Sequence, residues 1–493
     1  MSPRLRQAFP AAAVAILALA IFLIRLDIQP FEDYDEATYA DVARNVVREV
    51  GEPRFAFFRV LVADDESAAV RPWFEKPPLL LWLMAASMGV WGDGEFGARF
   101  PSALFGAGCV VLTFLLGRRL GGTGAGLLAA GLLVTNQDFL QHSRDARLDS
   151  AVTFFILLAA LQFWRWYRGD GRRPLLWAWA AMGCGVLAKS VIGLFPLPLF
   201  LAFLLCCDRP ALRRFLAPRQ HLAGLAAFAL VVVPWHVAMT ASYGTSFWNV
   251  YLGEHVINRA TSGILGGQPR TMWYYLRYLW LEHLLLLLVL GLGAGAGLLL
   301  RRRMPPAIRR GGLPFVALHA TLIIAAFSLA RVKLAPYLLP AYPFLALAGS
   351  LLWSEVGRAL ASRSVQARRV LMTSLGVAVA IFAMYSISTQ WWLRADAARA
   401  DHRVLLQEQR DIGRLLAQEP DIPVFLLWYQ RAEALQVYGG RPVRFLDRQG
   451  EYDIPEPSFL VVPTARVSGV VAASVEQRFI GSQLSLLGFG FSP

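Results

Sequence analysis

Lysine is nearly absent from this chain. Of 48 basic residues among 493, only Lys76, Lys189 and Lys333 are lysine; the rest are arginine. Charge of either sign is scarce, at 17% Asp, Glu, Lys and Arg, where an ordinary soluble domain carries about 25%. With 56% hydrophobic residues and a mean hydropathy of +0.47, that shortage excludes both a string of water-soluble domains and a disordered chain. Cysteine is scarce as well. Cys109, Cys184, Cys206 and Cys207 lie in or beside apolar runs, with no CxxC pair and no zinc spacing, so they read as small hydrophobes. The net charge of +14 raises the question of a nucleic-acid partner. The arginines fall in short clusters between apolar runs, not along one face, and no nucleic acid is expected.

Long apolar runs are what the sequence has in abundance. A spanning helix needs about 20 residues, and candidates fall near 9–27, 100–117, 122–139, 148–167, 175–188, 191–206, 221–240, 280–300, 313–330, 334–353 and 370–389. The first follows Arg4 and Arg6, lacks a clear small-residue cleavage site and reads as a signal anchor. A shorter run at 78–91 reads as an interfacial or half-inserted helix. With that run excluded and the N-terminus inside, segments 1–8, 117–121, 168–174, 207–220, 301–312 and 354–369 together hold 20 basic residues and three acids. That is the positive-inside bias. The reading is a polytopic α-helical membrane protein of about 11–13 spans, with a membrane region over 1–389 that includes an exported loop at 28–99.

From 390 the apolar runs shorten to strand length, Val424 to Trp428 and Phe459 to Val462, with a helical stretch at Ala432 to Val437 between them. This predicts a small exported α/β domain over 390–493. No internal repeat or low-complexity linker is visible.

In this topology all three lysines fall at the outer membrane edge. A lone lysine there reads as a snorkelling anchor; three on one face and none elsewhere point to compact charges that address phosphate oxygens. The acidic counterpart is Glu32-Asp33-Tyr34-Asp35-Glu36, followed by helical spacing with Tyr39, Ala43, Val46, Val47 and Val50 on one face and Asp41, Arg44, Arg48 and Glu49 expected to be more exposed. This reads as an amphipathic helix on the outer leaflet. Asp35 is placed either as a plain N-cap or as a general base for a hydroxyl acceptor. Arg144-Asp145-Ala146-Arg147-Leu148-Asp149 puts a second carboxylate at the lip of a span, where it needs a partner or water; Arg147–Asp149 or Arg144–Asp145 ion pairs are the plain alternative. His255 beside Glu254 is weak evidence for a metal.

Several ordered pieces resemble the bacterial lipid-linked sugar transferases of the GT-C architecture, the group of protein O-mannosyltransferases and ArnT-like aminoarabinose lipid A transferases. They are Asp35-Glu36-Ala37-Thr38-Tyr39-Ala40, Phe74-Glu75-Lys76-Pro77-Pro78-Leu79, Gly94-Glu95-Phe96-Gly97-Ala98-Arg99-Phe100-Pro101-Ser102, Arg144 to Asp149, Leu187-Ala188-Lys189-Ser190, and Lys333 to Pro340. They span 35–343. The family usually has glycine where this chain has Ser190, and often His or a small residue where it has Pro336.

The resemblance implies a GT-C-like membrane fold in a bacterial inner membrane and Asp35 as the catalytic carboxylate, with the basic positions around a donor phosphate. On the residues, Lys76, Lys189 and Lys333 are the candidate phosphate ligands, with Arg59, Arg147 and Tyr337 as additions. Asp149 would orient the lysines or the Asp35 helix, and Glu36, Glu75 and His255 stand as secondary candidates. The expected partners are a polyprenyl-phosphate sugar, a lipid or protein acceptor and membrane lipids. No cofactor is firmly implied, although the clustered carboxylates permit a divalent cation. The alternative is a transporter or flippase for a lipid-linked or anionic solute. Transporters usually carry charges near the midplane and paired repeats, whereas here the charged motifs gather at one face.

Overall fold

The computed structural model describes residues 3–32, 34–48, 59–61, 70–261, 270–300, 312–362, 364–391, 400–419, 422–427, 433–440, 443–446, 457–467 and 475–489. Asp33, Glu49, Val50 and Trp428 therefore lie outside the described residues.

In chain order the first elements are helix α1 (Pro3–Leu23), helix α2 (Asp35–Arg48), a two-stranded antiparallel ribbon of β1 (Arg59–Leu61) and β2 (Val70–Pro72), and the 13-residue helix α3 (Leu79–Trp91). The membrane helices follow: α4 (Glu95–Gly121), α5 (Thr123–Val134), the short α6 (Gln137–Arg144), α7 (Asp149–Tyr167), α8 (Arg173–Lys189), α9 (Pro196–Cys207), the short α10 (Arg209–Phe215) and α11 (Leu222–Trp248). A π-helical turn, Asn249–Asn258, leads into α12 (Arg259–Thr261). Then come α13 (Tyr274–Glu282), α14 (Leu284–Leu300), α15 (Gly312–Leu329), α16 (Tyr342–Ala361) and α17 (Val365–Trp391).

Each expected span has a helix, but not as a uniform rod. Among the described residues six helices are long and apolar enough to cross a bilayer, or up to eight if each of two bent pairs is one span. α6 and α7 meet at 113°, and α13 and α14 at 94°. α5 and α9, at 12 residues each, fall short of the about 17 residues a span needs. The expected run at 334–353 begins eight residues late, at Tyr342, because Pro336 and Pro340 deny backbone donors to a regular helix. A 3₁₀ turn, Ala335–Leu338, takes their place. The chain is a multi-pass membrane protein.

By contacts the chain divides into two compact units. One comprises Met1–Ile24, Phe74–Leu80 and Ser102–Trp392; the other comprises Arg25–Trp73, Leu81–Pro101 and Leu393–Pro493. Most of the 28–99 segment, 28–73 and 81–99, thus groups with the tail that begins at Leu393. Side-chain contacts account for this. Tyr438 Oη accepts from Phe31 N at 2.8 Å and donates to Glu95 at 2.6 Å. Arg410 pairs with Glu95 at 2.8 Å. The exposed polar face expected for α2 is corrected by the same packing: Asp41 and Arg44 are buried, Arg44 pairing with Asp93 at 3.0 Å and donating to Val437 O, while Val47 is exposed.

The tail forms the expected α/β layer and more. Helix α18 (Ala400–Leu416) precedes strand β3 (Val424–Leu427), helix α19 (Glu433–Gly439), β4 (Val443–Leu446), β5 (Ser458–Pro463), β6 (Val475–Ile480) and β7 (Leu484–Phe489). The sheet order is β4-β3-β5-β7-β6; β3 is parallel to β4 and β5, and β7 antiparallel to β5 and β6. Alternation along the strands gives two apolar faces: Val424, Leu426, Phe459, Val461, Leu484 and Leu486 pack with Ile412, Leu416 and Leu435, while Phe425, Leu460, Val462 and Leu487 form the opposite cluster.

Candidate active site

Lys189 closes α8, and the chain then reverses sharply. Ser190 adopts φ 54°, ψ −140°, and a 3₁₀ turn, Ser190–Leu194, folds back on α8. The reversal needs Gly193: a Cβ there would lie 2.1 Å from Val186 N and 2.2 Å from the Gly185 carbonyl carbon, well inside van der Waals contact. The tight turn carries Lys189 onto Asp149, the first residue of α7, and the two form an ion pair with side chains only 13% and 9% exposed. Asp149 therefore pairs with Lys189, not with Arg147.

The Lys189 ammonium stands 5.1 Å from the centre of the Tyr337 ring, within cation–π range. Tyr337 lies in the 3₁₀ turn after Lys333, and its hydroxyl accepts from Arg259 Nη1 at 3.3 Å. Arg259 in turn follows the π-helical turn that carries His255. Lys76 Nζ lies 3.0 Å from His255 Nδ1, and His255 Nε2 lies 3.7 Å from the Glu75 carboxylate. A charged lysine can only donate, so Nδ1 is the acceptor and the imidazole proton sits on Nε2, toward Glu75.

Lys333 is buried and donates to the carbonyls of Arg270, at 3.0 Å, and Ala330. Burial pushes its ammonium below the usual lysine range. The segment around it is tied to the Arg259 segment by Arg331 N to Ala260 O at 3.2 Å and Val332 N to Arg259 O at 3.4 Å. Tyr275 Oη bonds Leu334 O at 3.0 Å.

Two linked sets thus lie in the first unit, Lys189–Tyr337–Arg259 and Lys76–His255, joined by the short stretch of chain from His255 to Arg259, with Lys333 on a segment bonded to Arg259 and Ala260 through its neighbours. Among the described residues the carboxylates touching these sets are Glu75 and Asp149. Among those residues the cations outnumber the acids, the chemistry of an anion site.

Arg147 stands 3.9 Å from Asp145 and its carbonyl accepts from Ser102. Arg144 caps the end of α1, donating to the carbonyls of Ile21, Phe22 and Ile24. Arg59 lies in β1, but its side chain lies outside the described residues. Asp35, in the second unit, opens α2 and is half-buried; Glu36 beside it is fully buried against Arg99. Among the described residues no three His, Cys, Asp or Glu side chains gather as a metal site.

Sequence reasoning missed Arg259, one of 45 arginines with nothing to mark it until Tyr337 is placed. It also missed a cluster at the kink between α13 and α14. There Asp138 accepts from Tyr278 at 2.6 Å, from Tyr342 at 3.0 Å and from His283 at 3.0 Å, and Asn136 lies 3.3 Å from His283. Only the interruption of an apolar run by His283 hinted at it.

Comparison with known proteins places these features. A family model described as dolichyl-phosphate-mannose-protein mannosyltransferase matches residues 75–237, a stretch that includes Glu75, Lys76, Asp149 and Lys189. An undecaprenyl phosphate-alpha-4-amino-4-deoxy-L-arabinose arabinosyl transferase of Pseudomonas aeruginosa PAO1 is 32% identical over 319 residues, covering 62% of this chain and 54% of that protein. A similarly named protein of Pseudomonas fluorescens Pf-5 is 29% identical, covering 64% and 52%. The chain spans about half the length of the curated relatives it matches. Among solved structures, ArnT of Cupriavidus metallidurans bound to undecaprenyl phosphate superposes with a TM-score of 0.70 at 18% identity, over 98% of both chains. The Archaeoglobus fulgidus oligosaccharyltransferase gives 0.57 at 14% identity, over 90% of this chain and 64% of that one. The fold is the GT-C fold.

Proposed function

We propose that this chain, a GT-C-fold relative of the ArnT-like lipid-linked sugar transferases, moves a sugar from a polyprenyl phosphate to a hydroxyl or phosphate of an envelope lipid A-type glycolipid or protein. The observation that carries this reading is the linked set Asp149–Lys189–Tyr337–Arg259 with Lys76–His255 beside it. Departure of a prenyl phosphate builds charge on oxygen, and prearranged cations in a dry site stabilise that charge at no reorganisation cost. Lys76 and Arg259 are assigned to the phosphate. Lys189, already paired, is assigned to the Tyr337 side of the site, and Lys333 to the loop that carries Tyr337.

Asp35 is assigned, from its sequence motif and its place opening α2, as the base that takes the acceptor proton. The acceptor oxygen bonds the anomeric carbon as the bond from that carbon to the phosphate oxygen breaks. The electron pair leaves on phosphate, a weak base that needs no general acid. One displacement with no covalent enzyme intermediate gives inversion. The arginine-rich loops support an inner-membrane orientation with the N-terminus cytoplasmic and the C-terminal unit periplasmic.

The test is purified protein in lipid nanodiscs with undecaprenyl-phosphate aminoarabinose and lipid A, read by mass spectrometry. Release of undecaprenyl phosphate together with a sugar-sized gain on lipid A is expected. Movement of the intact donor across a vesicle membrane without its consumption would instead favour the transporter reading.

A further inference from the structure

We infer that Arg99 and Glu36 form a positioning clamp for Asp35, an assignment that rests on reading Asp35 as the acceptor base. The clamp lies wholly within the second unit. Arg99 Nε donates to Glu36 Oε1 at 2.7 Å and Nη2 to Glu36 Oε2 at 2.8 Å, a two-pronged pair. The remaining donors reach backbone carbonyls: Nη1 to Leu26 at 3.0 Å and Gln29 at 2.7 Å, and Nη2 to Pro30 at 2.9 Å. Guanidinium has five N–H groups, and these five bonds use all of them. Lysine has neither the number nor the planar layout.

Both charges are out of water. Glu36 is 0% and Arg99 2% exposed, and the fully buried Phe31 ring lies 5.6 Å from the guanidinium carbon. Glu36 does a second job, since Oε2 also accepts from Glu32 N at 2.8 Å. Its carboxylate therefore closes the turn from Glu32 to Glu36, helped by Ala37 N to Glu32 O at 3.0 Å and Thr38 N to Tyr34 O at 2.9 Å.

Inside that closed turn Tyr34 sits at φ 71°, a left-handed backbone that a bulky residue seldom adopts unless its surroundings hold it there. Asp35 follows at once. The direction in which α2 starts is held by the segment 26–30 on one side and the buried pair on the other, and Asp35 is the first residue of that helix. A carboxylate that must meet one hydroxyl proton loses rate steeply when displaced.

The experiment uses the full-length protein and two variants, with kcat, donor KM, the pH dependence of kcat/KM and thermal melting read for each. Arg99→Lys keeps the charge and loses the fork; kcat should fall on the order of tenfold or more, with donor KM within about twofold. Glu36→Gln keeps the shape but leaves the Arg99 charge unbalanced one residue along the chain from Asp35. The acid limb of kcat/KM should then move to lower pH by about one unit. A purely structural pair would lower the melting temperature and the active fraction and leave the acid limb in place. That result, or kcat within twofold of wild type in both variants, overturns the clamp. Should Arg99→Lys not fold, the pH shift in Glu36→Gln decides alone. Asp35→Asn separates the premises: full activity there removes the base itself, whereas an inactive Asp35→Asn beside unaffected clamp variants removes only the positioning.

Discussion

Lys189 is held between Asp149 and Tyr337, its ammonium paired with the carboxylate and 5.1 Å from the ring centre. Both charged side chains are largely buried, so neither can fall back on water when the other is removed. Asp149→Asn should therefore destabilise the protein by about 3 kcal/mol, read as a lower melting temperature in detergent. Asp149→Asn combined with Lys189→Met should recover much of that loss. A single variant that melts with wild type would show that the pair is solvated.

Ser190, next in the chain, occupies the φ 54°, ψ −140° backbone that suits glycine. Ser190→Gly should raise stability by about 1 kcal/mol and preserve transfer, while Ser190→Val should lower both. Melting curves of the two variants give the answer, and equal melting would mean the turn is unstrained.

Asp138 is the shared acceptor of a buried cluster. Its carboxylate accepts from Tyr278, Tyr342 and His283 at 2.6, 3.0 and 3.0 Å. Asp138→Ala should leave those donors unpaired and cost about 2–3 kcal/mol, read as a lower melting temperature in detergent. Wild-type melting in the variant would contradict the assignment.

The membrane class and the helix-bearing segments were legible from hydropathy alone, because apolar length is a property of the sequence. The shape of the helices was not. Pro336 and Pro340 displace the start of α16, and His283 marks a 94° bend, yet nothing local distinguishes a bend from a break. Lys76, Lys189 and Tyr337 were legible through scarcity and motif. Arg259 was not, because the Tyr337 hydroxyl it reaches lies 78 positions away. The burial of Asp41 and Arg44 was hidden for a similar reason: their cover includes Asp93 and Val437, which no helical periodicity within α2 can reveal.

In the C-terminal sheet, Glu408 of α18 takes the place of a backbone partner for an entire turn. Its carboxylate accepts from the amides of Ser482, Gln483 and Leu484 at 2.6, 2.9 and 2.6 Å, and from the Ser482 hydroxyl at 2.9 Å. Glu408→Ala should leave those donors unpaired and cost about 2–4 kcal/mol. Hydrogen exchange over β6 and β7 in the full-length protein should quicken selectively. Uniform exchange across the sheet would show that the turn holds without Glu408.

The central claim is that the network of Lys76 and Arg259 receives a lipid-linked phosphate. Binding of undecaprenyl phosphate to the purified protein, compared between wild type and the single variants Lys76→Ala and Arg259→Ala, tests it most directly. Loss of one charge-assisted bond should weaken affinity by about 10- to 100-fold in each variant, with melting temperature little changed. Wild-type affinity in both well-folded variants would contradict the account.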